Sequence, residues 1–133
     1  MKKLGSAVAL ICSAAAGAQT VDVGTGNWDR FPEARRAGTL YLSNATMDAI
    51  EALGREQACR VNGLSRNSVS LNVPFVIRFD AAGRPERIVL RDLGCPALER
   101  LLAQSLQGLA GAGEFRPTGG AGWYRSTIQY ANR

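Results

Sequence analysis

The stretch Val73-Pro74-Phe75-Val76-Ile77-Arg78-Phe79-Asp80-Ala81-Ala82-Gly83-Arg84 decides the fold class. Leu71, Val73, Phe75, Ile77 and Phe79 fall on every second position, the period that puts side chains on one face of a strand. Asp80 and Gly83 then take the first and fourth places of a type I turn, with the glycine in the left-handed region. The chain resumes in extended form through Arg87-Ile88-Val89-Leu90-Arg91. Residues 68–91 are thus predicted to form a β-hairpin. Pro74 has no N–H to give to a ladder, so full pairing is expected from Phe75 onward.

Reading toward the C-terminus, Gly94-Cys95-Pro96 opens a helix, with Pro96 at its first position. Leu98, Leu101, Leu102, Leu106 and Leu109 form one apolar stripe, suited to packing on a sheet. Gly111 and Gly113 end it. After Phe115-Arg116-Pro117 and a Gly-rich bend at 119–122, a last strand alternates from Trp123 to about Ala131. Toward the N-terminus, Ser43-Asn44 is a helix-capping signal. Met47, Ile50 and Leu53 recur at helical spacing from Ala45 to about Arg60, which places Cys59 in the last turn. Asp48 and Glu51 sit early and Arg55 and Arg60 late, as the helix dipole prefers. Asn62-Gly63 breaks the pattern.

Residues 19–42 read as an irregular arm broken by Gly24, Gly26, Pro32 and Gly38, with a short extended piece at Thr39-Leu40-Tyr41-Leu42. Trp28 is expected to anchor this arm in a groove of the domain. The predicted architecture is α+β: an N-terminal helix followed by ββαβ. Its three-stranded antiparallel sheet carries the amphipathic helix on one face. Residues 43–133 make the single domain.

The first eighteen residues read as a cleavable secretory signal. Met1-Lys2-Lys3 is a positive n-region, an apolar run follows to Ala16, and Ala16-Gly17-Ala18 supplies the small residues a signal peptidase reads. The run is shorter than the roughly 20 residues of a spanning helix. Cys12 is expected to leave with the signal. Cleavage after Ala18 predicts a periplasmic protein of about 115 residues, one domain's worth of chain. Its formal charge falls from +5 to +3, because Lys2 and Lys3 leave and all eleven acids stay. That scattered excess is not the clustered basic face nucleic acid requires. The remaining cysteines, Cys59 and Cys95, are an even pair and read as a disulfide in an oxidising compartment. No CxxC spacing and no His accompanies them, so neither metal nor cofactor is expected.

From the hairpin onward the sequence resembles the C-terminal domain of TonB, the periplasmic energy transducer. The likeness covers about residues 69–131. It rests on the apolar strand, Asp80, the Gly83-Arg84 turn, a second strand, an amphipathic helix, the Phe115-Arg116-Pro117 step and a final strand, in that order. In that family the last strand is a sheet edge that pairs with an extended segment of an outer-membrane receptor. The resemblance implies such an edge here at Trp123, Tyr124, Arg125, Ser126, Thr127, Ile128 and Gln129. Backbone bonds would supply affinity and alternate side-chain pockets specificity. The cleavable signal and the scattered prolines set the expectation of a soluble module for cell-envelope and transmembrane-transport partners, not of a force-transmitting transducer. The helix at 45–60 is extra to the family's minimal domain.

Three functions stay open on sequence alone. The first is a protein-binding module using that edge. The second is a structural envelope protein whose edge is capped by residues 19–42 or used for self-association. The third is a small enzyme, against which stand the absence of His and the placement of Asp80, Glu86, Asp92, Glu99 and Glu114 at turns and helix ends. No catalytic residue and no small-molecule substrate is assigned. Arg78, Arg87 and Arg125 are expected to share the sheet face opposite the helix and to be solvated there. Trp123 is expected to pack against or protect the edge.

Overall fold

The computed structural model describes residues 20–38 and 42–132. The expected signal at 1–18, its expected cleavage point after Ala18 and the extended piece expected at Thr39, Leu40 and Tyr41 lie outside the described residues.

The chain is α+β. Strands β1 (Thr20–Gly24) and β2 (Arg35–Arg36) precede helix α1 (Asn44–Glu56). Strands β3 (Val69–Phe79) and β4 (Pro85–Arg91), helix α2 (Pro96–Gly111), and strands β5 (Phe115–Arg116) and β6 (Gly122–Asn132) follow. The main sheet has the order β1-β4-β3-β6, and β2 pairs with β5 in a second, two-stranded sheet.

The hairpin forms as its sequence demands. The Gly83 N–H donates to the Asp80 carbonyl at 3.0 Å, with Gly83 at φ +79°. Asp80 Oδ1 accepts the N–H groups of Ala82 and Arg84 at 2.8 and 2.9 Å. Those bonds, the Arg84 N–H first, hold the Asp80 carboxyl below its usual range. Pro74 limits pairing on one side only. The β4 ladder begins at Phe75↔Leu90, as expected, while the β6 ladder runs unbroken from Val69↔Asn132 to Phe79↔Gly122.

The odd-numbered face of β3 builds the core. Leu71, Val73, Phe75, Ile77 and Phe79 meet Leu98, Leu102 and Leu106 of α2, Ile50 of α1, and Tyr124 and Ile128 of β6. Phe115 packs edge-on to Phe75, and Tyr124 edge-on to Phe79, with centroids 5.1 and 5.6 Å apart. Each such pair adds roughly 0.5–1.5 kcal/mol beyond its buried area.

Four details depart from expectation. First, the sheet has four strands, not three. The alternating Val21 and Val23 in β1 add it as a parallel edge strand, Thr20↔Arg87 through Gly24↔Arg91. Second, the arm is therefore not irregular throughout. Third, α1 stops at Glu56, with Gln57 left-handed at φ 54°, so Cys59 lies beyond the helix. The N–H groups of Gln57 and Ala58 turn back to the carbonyls of Gly54 and Leu53, both at 3.2 Å, and close the helix, while at Gly54 an added Cβ would sit 2.5 Å from the Ser65 carbonyl. The returning loop needs that space, and the helix ends beside it. Fourth, the sheet face opposite the helices is covered in part. Val76 lies on it yet is only 3% exposed.

The capping signals fall where the sequence puts them. Ser43 caps α1, accepting the Thr46 N–H at 3.1 Å. Pro96 opens α2. A disulfide joins Cys59 to Cys95 at a Cα separation of 5.8 Å, tying the segment after α1 to the head of α2.

Candidate functional site

The arm explains the covered face. It leaves the β4 edge as β1 and crosses the sheet face opposite the helices. It then reaches the β6 edge and continues as β2 onto β5. Trp28 anchors the crossing, 9% exposed, with the Arg91 guanidinium 4.1 Å above its ring. Phe31 stacks on Trp123 at 6.5 Å. Arg78, Arg87 and Arg125 do share this face, and each has a carboxylate: Glu86 at 3.3 Å, Asp22 at 2.6 Å and Glu33 at 3.4 Å. Exposed pairs of this kind contribute at most about 1 kcal/mol each. Arg78 and Arg87 are exposed, as expected, while Arg125 is half-buried beside the arm.

Along β6 the predicted edge divides in two. The Arg125 N–H donates to the Pro32 carbonyl at 2.8 Å, and the Arg125 carbonyl accepts the Ala34 N–H at 2.9 Å. Both backbone groups of Arg125 therefore point away from β3, and the arm occupies them. The Arg125 side chain adds a bond to the Phe31 carbonyl at 2.7 Å. Two residues on, the Thr127 carbonyl also faces outward, where Arg36 Nη2 donates to it at 2.6 Å and to Thr127 Oγ1 at 3.0 Å. Pro74, which has no N–H, sits opposite Thr127 in the ladder.

The alternation of an antiparallel ladder assigns the rest. The N–H of Thr127 and both backbone groups of Gln129 and Ala131 face outward, and no strand of the described residues pairs with them. Trp123 and Arg125 are thus under the arm, Tyr124 and Ile128 are buried in the core, and Ser126 is turned to the helix side. Thr127 and Gln129 are the predicted residues left at an unpaired edge. Between the arm and this edge lies a groove of about 410 Å³ bordered by Trp28, Ala34, Arg36, Pro74, Arg91 and Thr127.

The far end of β6 is fixed to α1. Glu51 accepts hydrogen bonds from the Tyr130 hydroxyl and the Asn132 amide. The Tyr130 bond, above all, holds the Glu51 carboxyl below its usual range. Burial, then the Glu51 bond, pushes the Tyr130 phenol up to about 12. At the near end, Tyr124 pins the Gly-rich bend, accepting from the Gly119 N–H at 2.9 Å and donating to the Gly120 carbonyl at 2.8 Å.

The acids singled out in the sequence act locally. Glu99 accepts the N–H groups of Leu93 and Gly94 at 2.7 and 3.1 Å, capping the approach to α2. Asp80 closes its turn, Asp92 accepts the Gly94 N–H at 2.9 Å, and Glu86 pairs with Arg78. Sequence reasoning missed Arg36, the side chain that meets the edge. Its immediate neighbours give no periodicity to mark it.

No family model matches the chain, and no curated protein or solved structure gives a match. Among the described residues, no helix is long and apolar enough to cross a membrane.

Proposed function

We propose that this chain is a non-enzymatic, periplasmic protein-binding module similar to the C-terminal domain of TonB, and that it pairs residues 127–132 of β6 with an extended segment of a cell-envelope or outer-membrane protein. The observation that carries the reading is the half-covered edge. Evolved sheets guard their edges with charge, proline or a covering segment, because an open edge invites pairing. Here the arm guards Arg125, yet residues 126–132 carry no charge and no proline. Gln129 and Ala131 keep both backbone groups, and Thr127 its N–H, for strand addition, in which main-chain bonds supply the affinity.

The core hairpin, α2 and β6 keep the order on which the TonB resemblance rests. The arm and α1 are additions that narrow the edge and brace its far end. A second reading, self-association, draws on the same lack of charge: two copies can pair β6 to β6 without like-charge repulsion.

The test is a photo-crosslinker at Thr127 in cells. A heterologous product that disappears with Gln129→Pro, which removes an outward N–H, supports the binding module. A product of twice the chain mass supports self-association instead. Capture of residues 31–36 of the same chain alone rules out strand addition by a partner.

A further inference from the structure

The geometry points to a partner segment that runs antiparallel to β6 and ends at Thr127, with its C-terminal carboxylate on Arg36. This rests on the strand-addition reading and adds the polarity of the partner and the chemistry of its last residue.

The arm sets the stopping point. Past Thr127, the next outward acceptor on β6 is the Arg125 carbonyl, and it is already bonded to the Ala34 N–H at 2.9 Å. An incoming strand has no backbone partner beyond that point. At Thr127 itself the carbonyl is filled by Arg36 Nη2 at 2.6 Å, while the N–H is left outward. In an antiparallel pair, the residue opposite Thr127 would give its N–H to that carbonyl and accept the Thr127 N–H with its own carbonyl oxygen. Only the acceptor half of that exchange is open. A terminal residue offers a carboxylate at this place and has no following residue to accommodate.

The charge agrees. Arg36 forms no ion pair with a carboxylate of the described residues, and its Nη1 makes no hydrogen bond among them. One carboxylate can accept the Thr127 N–H and reach that free edge of the guanidinium fork together, a charge-assisted arrangement. A parallel partner would instead bring its N-terminal end toward the cation. The side chain of the terminal residue would lie on the same face as Thr127, against the groove of about 410 Å³ bordered by Trp28 and Pro74.

Two display libraries of random peptides test this on the full protein, one with free C-termini and one with a fixed C-terminal extension. Enrichment should come from the free-end library. A selected peptide should lose at least about tenfold in affinity when amidated, and similarly against Arg36→Gln. Arg36→Lys, which keeps the charge, should retain part of the affinity, and unchanged thermal melting shows that either variant is folded. Equal enrichment from the extended library, or equal binding of acid and amide, overturns the carboxylate proposal and leaves strand addition standing. No enrichment from either library overturns the proposal as well, and the Thr127 crosslinking result then decides separately whether strand addition fails with it.

Discussion

Tyr130 is half-buried at the end of β6, where its hydroxyl meets Glu51 of α1. Its pKa is raised from 10.0 to about 12, so the folded state holds the proton more tightly than the unfolded chain does. That contribution is fully present below the unfolded value and is lost as pH rises through the window from 10 to about 12. Phenolate absorbance should show Tyr130 ionising near 12, and Tyr130→Phe should remove that step and flatten the alkaline limb of the stability curve while costing about 1 kcal/mol at neutral pH. At this scale the sequence was legible where a residue's role is local. Ser43 as cap, Asp80 and Gly83 as turn, and Pro96 as helix opener all follow from preferences that act within four residues. Arg36 and Trp28 act across the fold. The Arg36 side chain bonds Thr127, 91 positions away, so its local sequence holds no trace of the role.

At the scale of elements, two glycines in helices should respond in opposite directions to the same substitution. Helix propensity favours alanine over glycine by about 1 kcal/mol. In α2, a Cβ at Gly108 meets nothing within 4 Å, so Gly108→Ala should stabilise by about 0.5–1 kcal/mol. In α1, a Cβ at Gly54 would lie 2.5 Å from the Ser65 backbone carbonyl, and backbone cannot swing aside as a flexible side chain can. Gly54→Ala should therefore destabilise by about 1–3 kcal/mol despite the better propensity. Urea midpoints of the two variants check both signs. The hairpin, α2 and β6 were readable because their apolar periods run long enough to stand out. Strand β1 was not, because its five residues carry only Val21 and Val23 as a signal. Its place beside β4 is settled by tertiary pairing, including Asp22 with Arg87 at 2.6 Å. The end of α1 was misread because a non-glycine residue, Gln57, takes the left-handed cap that closes it.

Across the whole molecule, two fastenings hold the additions to the sheet. The Cys59–Cys95 bridge closes a 36-residue separation, for which chain entropy gives about 4 kcal/mol. Reduction should lower the thermal midpoint accordingly, with α1 losing amide protection before the hairpin does. Trp28 is the other fastening. Trp28→Ala should cost about 3 kcal/mol and speed exchange of the Ala34 and Arg125 amides, lengthening the unpaired edge of β6 toward Trp123. The two-layer core was legible from its apolar faces, and so was Trp28 as the anchor of the arm on the domain, but the arm's path as a strap across the back of the sheet was not, since nothing in residues 25–36 announces which strand they will meet. That strap also has a history in time. Its seat on β6 is 92 residues downstream, from Glu33 to Arg125, so a chain that emerges N-terminus first delivers the guard before the place it guards. Throughout that interval Trp28 and Phe31 travel without their partners. When β6 finally emerges, its edge is bare until the oldest part of the chain finds it, and any competing strand nearby has that moment in which to arrive first.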